Sequence, residues 1–289
     1  MSAAAERVRL EASVGGLRRQ LDRWRSGGHT VGLVPTMGFL HDGHRSLIER
    51  ARADNDTVVV SIFVNPLQFN PGEDLDDYPR DLGRDLALCA DAGADIVFAP
   101  ETDEMYPEPM VTTVHAGDLA TVLCGASRPG HFDGVATVVA KLFSIAGECS
   151  AYFGEKDFQQ LTIIKRMASD LSMPVRVVGC PTVREPDGLA MSSRNAYLSA
   201  DERRQAPVLR RALQAGAAAV EAGEAGAAAV EAAMAAVIAT APSAIVDYTA
   251  AVRADTLASA GPLHGDVRLL VAVRFGKARL IDNIGCRAG

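Results

Sequence analysis

The residues Pro35-Thr36-Met37-Gly38-Phe39-Leu40-His41-Asp42-Gly43-His44 set two histidines three positions apart across a glycine. At the start of a helix such a pair lies on one side of the opening turn. It stands there beside unbonded backbone N–H groups and the positive end of the helix dipole, a setting suited to phosphate oxygens. Gly43 lets a bulky ligand approach the backbone. The same letters have plainer uses: histidines near a turn can simply cap or pack, and a zinc site would need a further ligand that the local sequence does not place.

Three other segments carry comparable chemistry. Ser61-Ile62-Phe63-Val64-Asn65-Pro66-Leu67-Gln68-Phe69 is an apolar run that exits into a proline-marked loop, which would bring the amides of Asn65 and Gln68 to one sheet edge. Asn-Pro also opens ordinary turns. In Gly154-Glu155-Lys156-Asp157-Phe158-Gln159-Gln160, Lys156 stands at a helix start. A cation there is disfavoured by roughly a few tenths of a kcal/mol, so its presence points to a bound anion. The alternative is a solvated lysine ahead of an Asp157 N-cap. Met191-Ser192-Ser193-Arg194-Asn195 offers two hydroxyls and a guanidinium, which can hold phosphate oxygens or cap a helix.

These segments need a scaffold that brings strand ends to one place. Along roughly the first 180 residues, short β-branched runs alternate with amphipathic stretches, the pattern of βαβ units and a parallel sheet. Strands are expected at Thr30 to Val34, Thr57 to Val64, Asp95 to Ala99, Ala151 to Phe153 and Val175 to Val178. Helices are expected at Gly43 to Ala53, Asp81 to Ala92, Phe132 to Ala146 and Asp157 to Asp170. The fold class is therefore α/β: a Rossmann-like, doubly wound N-terminal domain over residues 1–181 and a smaller α+β domain over 182–289 that carries the MSSRN loop. The second domain contains AGAAAVEA twice, at Ala215 to Ala222 and Ala225 to Ala232, which reads as alanine-driven helix. Strand-like runs follow at Ile245 to Val252, Arg268 to Arg274 and Ala278 to Ile281.

Composition narrows the function classes. With 289 residues and 48% hydrophobic content the chain can bury a substantial core. A net charge of −7 argues against a nucleic-acid surface. Cys89, Cys124, Cys149, Cys180 and Cys286 are odd in number and include no C-x-x-C pair, so neither a disulfide framework nor a thiolate zinc site is indicated. The first residues, MSAAAERVRLEASVGG, carry early charges and no apolar signal region, and no run of about 18 apolar residues occurs. A soluble cytoplasmic protein is expected, with no membrane partner.

Taken together, PTMGFLHDGH, SIFVNPLQF, a YPR segment at Tyr78 to Arg80, HFDGV, FGEKDFQQ and TVREPDGLAMSSRN occur in the order and spacing of the pantothenate synthetases. The resemblance is strong over Val31 to Leu198. Through it HDGH looks like the HIGH signature of the adenylate-forming nucleotidyltransferase superfamily, and MSSRN like the counterpart of its KMSKS loop. Leu67 stands where Met is common, Phe39 where Ala is common, Phe158 where Tyr is common, and Arg84 in a stretch that is often acidic, which weakens a two-carboxylate magnesium site.

The resemblance implies an ATP-dependent ligase that condenses pantoate with β-alanine through a pantoyl-adenylate, releasing AMP and pyrophosphate. It implies catalytic roles for His41, His44, Lys156, Ser192, Ser193 and Arg194. ATP contacts would come from Pro35, Thr36, Met37, Gly43, Gly154, Asp157, Val183 and Met191, and pantoate contacts from Gln68, Gln160, Asn65 and His131. It further implies Mg2+ accompanying ATP, with Asp85 as a candidate contact, and a homodimer. Neutral amides suit the pantoate carboxylate, because a paired cation would lower its nucleophilicity. The adenylate must be kept from water, so a closing loop is expected among Asn70 to Asp77. Other readings are a nucleotidyltransferase that adenylylates a phosphate acceptor and a non-catalytic nucleotide-sensing module. A cysteine-dependent amidase finds no Cys/His setting here.

Overall fold

The computed structural model describes residues 8–73, 75–258 and 261–289. Asp74, within the expected closing loop, and the first seven residues lie outside them. In chain order the elements are β1 (Arg9–Glu11), α1 (Val14–Ser26), β2 (Val31–Thr36), α2 (Asp42–Asp54), β3 (Thr57–Ile62), α3 (Leu82–Ala92), β4 (Ile96–Phe98), α4 (Thr102–Met105), α5 (Cys124–Ser127), α6 (His131–Ala146), β5 (Cys149–Gly154), α7 (Phe158–Asp170) and β6 (Val175–Cys180). There follow α8 (Ala200–Gln205), α9 (Val208–Glu221), α10 (Ala227–Ile238), β7 (Ala244–Arg253), β8 (Gly265–Phe275) and β9 (Ala278–Ala288).

The chain divides into two compact units. The second contains Thr182–Gly289 together with Thr121–Ser127 and Lys156–Thr162, two segments that a linear division at Pro181 assigns to the first. Lys156 therefore belongs to the second unit, although the strand leading to it belongs to the first.

The first unit is an α/β layer structure around a six-stranded sheet of order β1-β4-β3-β2-β5-β6, with every pairing parallel. Valines 58, 59 and 60 of β3 are buried in succession, the mark of a strand covered on both faces. From β1 at one edge the chain crosses to β2 in the middle of the sheet, works back outward through β3 and β4, and returns to the other side of β2 with β5. The sheet thus reverses its winding between β2 and β5, where open α/β sheets bind ligands beyond the strands' carboxyl ends. Those ends lead into Met37-Gly38-Phe39 and Gly154-Glu155. The short β1, with its polar sequence Arg-Leu-Glu, pairs at the edge and does not follow from hydrophobic periodicity, whereas α1, absent from the expected helices, buries Leu17 and Leu21 one turn apart.

The second unit pairs an antiparallel sheet, β7-β8-β9, with α9 and α10. Leu213, Val220, Val230 and Met234 from the helices and Leu269, Val271 and Val273 from β8 form its core. The alanine repeat is accordingly packed helix.

Candidate active site

In the first unit, His41 is the N-cap of α2, and its Nδ1 accepts from the backbone N–H of Gly43 at 3.1 Å. His44 Nδ1 accepts in return from the backbone N–H of His41 at 3.3 Å. A neutral imidazole has one donor and one acceptor nitrogen, so both rings carry their proton on Nε2. The two ring centroids lie 4.1 Å apart, with the ring planes tilted by 44°. The cap thus fixes the tautomer of each ring, with its proton on Nε2.

The turn before this helix is unusual. Gly38 and Phe39 have φ of 85° and 49°, consecutive left-handed conformations, and the second is uncommon for an aromatic residue. Any Cβ at Gly38 would stand 3.0 Å from Ile62 Cγ2 and 3.1 Å from Asp85 Oδ2. Asp85, 1% exposed, holds the turn in place, its Oδ2 accepting from Phe39 N and its Oδ1 from Leu40 N, both at 2.7 Å. Burial pushes the Asp85 carboxyl above the ordinary carboxylate range, while the Leu40 and Phe39 N–H groups pull the other way. The side chain read from the resemblance as a magnesium contact thus has both oxygens engaged by backbone. Thr36 is likewise committed, its hydroxyl donating to the Ser61 carbonyl at 2.7 Å and accepting from Gly38 N at 3.2 Å.

Asn65 and Gln68 meet as their spacing suggests. Asn65 caps the short helix Pro66–Gln68, and its Nδ2 donates to Gln68 Oε1 and to the Gly134 carbonyl, each at 3.1 Å. Tyr106 donates its hydroxyl to Asn65 Oδ1 at 2.8 Å, an interaction with no signal in the sequence pattern. Gln68 Nε2 points at Met37 Sδ, 2.8 Å away. A Cβ on Gly134 would collide with the Leu67 carbonyl oxygen, so the glycine of HFDGV lets α6 approach this loop.

His131 differs from the paired histidines. Its Nδ1 donates to the Gln68 carbonyl at 2.7 Å, and Arg128 Nη1 lies 2.9 Å from its Nε2. A carbonyl can only accept and a guanidinium only donate, so this ring carries its proton on Nδ1. Both ring nitrogens are engaged inside the protein, and through the Gln68 carbonyl His131 supports the loop that carries the Gln68 amide. Arg128 also grips Glu73 through Nε at 2.7 Å and Nη2 at 2.5 Å, tying down the segment expected to close. Burial would raise the Glu73 carboxyl, but the Arg128 hydrogen bond and charge outweigh it and hold the group below its ordinary value.

In the second unit, Lys156 lies in the turn Glu155–Asp157 with Nζ 3.7 Å from Asp157 Oδ1. Of the two adjacent glutamines, Gln159 is locked to the loop before α5, accepting from Cys124 N at 3.0 Å and donating to the Val122 carbonyl at 2.8 Å. Gln160 stands half-buried one residue further on. Val183 and Met191 close a hairpin through Met191 N to Val183 O at 3.0 Å. Ser192 caps the short helix Ser193–Tyr197, accepting from Arg194 N at 3.3 Å, so the capping use of that hydroxyl is realised too. Among the described residues, no group of three or more His, Cys, Asp or Glu is assembled to hold a metal ion. All five cysteines are free thiols, and burial pushes those of Cys89 and Cys149 up to about 12.

Comparison with known proteins adds to this geometry. The family model described as pantoate-beta-alanine ligase matches residues 10–285. The chain is 49% identical over 271 residues to the pantothenate synthetase of Clostridium acetobutylicum, covering 94% of this chain and 96% of that protein. It is 52% identical over 277 residues to that of Sinorhizobium medicae, covering 96% and 95%. Among solved structures, a Thermus thermophilus pantothenate synthetase superposes with TM-score 0.90 at 51% identity, covering 96% of this chain and 99% of that one. A Francisella tularensis pantoate-beta-alanine ligase, complexed with beta-gamma ATP and beta-alanine, superposes with TM-score 0.80 at 32% identity, covering 96% and 97%.

Proposed function

This chain belongs to the pantoate–β-alanine ligase family, and from that premise we propose that it joins pantoate to β-alanine in two steps through a pantoyl-adenylate. Membership of the family supports ATP-dependent ligation as the activity; the intermediate and the residue roles are our reading. The observation that carries the reading is the pair of Nε2–H donors that capping fixes on His41 and His44, beyond the carboxyl end of β2.

Pantoate is ionised at neutral pH, so its carboxylate attacks the α-phosphorus of ATP without a general base or an enzyme nucleophile. Positioning and charge stabilisation then carry the step. His41, His44, Lys156, Ser192, Ser193 and Arg194 supply donors to the triphosphate and to the charge that develops on pyrophosphate. Gln68 and Gln160, with Asn65, hold pantoate through neutral amides. Pro35, Thr36, Met37, Gly43, Gly154, Asp157, Val183 and Met191 belong to the nucleotide subsite, in which Thr36 acts by shaping its loop. In the second step the amine of β-alanine, with pKa about 10, must lose a proton before it attacks the mixed anhydride and AMP departs.

Magnesium would arrive with ATP, held chiefly by phosphate oxygens, as is common for this ion. The described residues do not assemble a protein-built site for it, and both oxygens of Asp85 meet backbone N–H groups, so Asp85 is not proposed as its ligand. The Glu73 segment is proposed to shield the adenylate. A cytoplasmic homodimer completes the reading and is checked by cell fractionation and sedimentation.

The deciding experiment is isotope exchange between pyrophosphate and ATP with pantoate alone. Exchange without β-alanine, and AMP as the nucleotide product of the full reaction, are expected. A strict requirement for β-alanine would remove the two-step route, and ADP as product would point to an acyl phosphate.

A further inference from the structure

Consecutive polar residues Asp282 and Asn283 on β9 are each 3% exposed. Burying two polar side chains in a strand is unfavourable unless both are partnered, and successive strand residues project to opposite faces. Their partners are different segments of the second unit. Asp282 receives a bidentate ion pair from Arg184, Nη1 to Oδ2 at 2.7 Å and Nη2 to Oδ1 at 2.9 Å. The same guanidinium donates to the Gly188 carbonyl at 3.0 Å, spanning the hairpin that returns through Met191 to Ser192. Asn283 donates from Nδ2 to the carbonyl of Lys156 at 2.8 Å and accepts at Oδ1 from Arg268 Nε at 2.7 Å. Because the guanidinium can only donate and the carbonyl only accept, the amide has one orientation. Arg268 also lies 4.0 Å over the ring of Phe158, two residues beyond Lys156.

We propose that Asp282 and Asn283 are a positioning pair, which uses the rigid register of one strand to fix the spacing between the Lys156 turn and the Met191-to-Arg194 loop. Neither touches a reactant; they act through Lys156 and through Arg184. The register is firm because β9 pairs with β8 along its whole length, Leu270 opposite Asn283 and Val271 opposite Asp282. The inference gives the C-terminal strand a part in adenylation, and it rests on the reading of Lys156 and Arg194 as donors to the triphosphate.

Asn283→Asp is the informative variant. It keeps the size of the side chain and its acceptor for Arg268, but turns an oxygen toward the Lys156 carbonyl. Pantoate-dependent pyrophosphate exchange is expected to slow about 10-fold in kcat, within the range that a small misplacement of a catalytic group produces, while the KM for pantoate changes less than about 2-fold. The double variant Asn283→Asp/Lys156→Ala should be no slower than Lys156→Ala alone, because residues acting as a unit are not additive. Arg184→Lys, which keeps the charge and loses the bidentate hold, should be non-additive in the same way with Arg194→Ala. Asn283→Ser, neutral and too short to reach Lys156, repeats the test if Asn283→Asp does not fold. Wild-type exchange in Asn283→Asp and Asn283→Ser, or losses that multiply with those of Lys156→Ala, would overturn the positioning role alone. Wild-type exchange in Lys156→Ala would remove it together with the reading on which it rests.

Discussion

The segments proposed to hold the triphosphate are built by different means in the two units. In the first unit the HDGH loop is stabilised mostly from within: its histidines cap the helix they begin, and a single carboxylate from α3 holds its left-handed turn. In the second unit the Lys156 turn and the hairpin that leads into the MSSRN loop are bonded to side chains of β9, 127 residues away in the Asn283–Lys156 contact and 98 in the Asp282–Arg184 contact. A loop that caps itself tolerates change elsewhere. One held by a distant strand passes any disturbance of that strand to its donors.

The largest effects should fall on the donors themselves. His44→Ala and Lys156→Ala are each expected to slow pantoyl-adenylate formation by roughly 10²-fold, the scale for loss of one preorganised donor. Amide formation from supplied pantoyl-adenylate should suffer less, since no pyrophosphate is present in that half-reaction. Rapid-quench measurement of both half-reactions, with circular dichroism as the folding control, decides this, and equal losses in both would move these residues away from the pyrophosphate.

Next in size is Asp85→Asn, which sharpens the contrast because it attacks a long-range support of the self-capped loop. An amide has a single acceptor oxygen, so either Phe39 N or Leu40 N loses its partner. Losing a hydrogen bond to a charged group costs about 1.5–3 kcal/mol. A lower melting temperature is expected with a fall in kcat/KM at any magnesium concentration, and recovery of full activity by excess magnesium would instead restore Asp85 as a metal ligand.

Gln68→Ala should raise the KM for pantoate or lower kcat/KM while nucleotide binding changes little. His131→Ala should act in the same direction and more weakly, since it works through the Gln68 carbonyl. An ATP affinity that falls equally in either variant would place this loop in the nucleotide subsite.

The smallest effect concerns pH. The folded value of Glu73 is depressed, so the stability it contributes is fully present above the ordinary glutamate value of about 4.3 and is lost as pH falls through the lower folded value. Glu73→Gln should therefore remove part of the acid sensitivity of the wild type below pH about 4. Thermal melts at stepped pH test it, and parallel curves for the two proteins would mean the Glu73–Arg128 pair adds no pH-dependent stability.

The sequence by itself determined the parallel-sheet unit, the strand-to-helix junctions and the four chemical segments, because these rest on local signals. Buried strands read as β-branched runs, helix starts carry caps, and the HDGH turn contains its own hydrogen-bonding partners. Even the plainer alternatives for His41, His44 and Ser192 were legible, since capping is a local interaction, and the structure shows the caps in place. Tertiary structure decided what depends on partners remote in sequence. The exposed three-residue β1 has no periodic pattern to reveal it, and becomes a strand only by pairing with β4. Asp85 became the clamp on Phe39 and Leu40, Arg128 and His131 the support behind Gln68, and Asp282 with Asn283 the anchor for segments near residues 156 and 184. A buried carboxylate or amide looks the same in sequence whether it meets metal, ligand or backbone. Its role is set by which donors the fold brings within about 3 Å, and that distance exists only once the chain has closed.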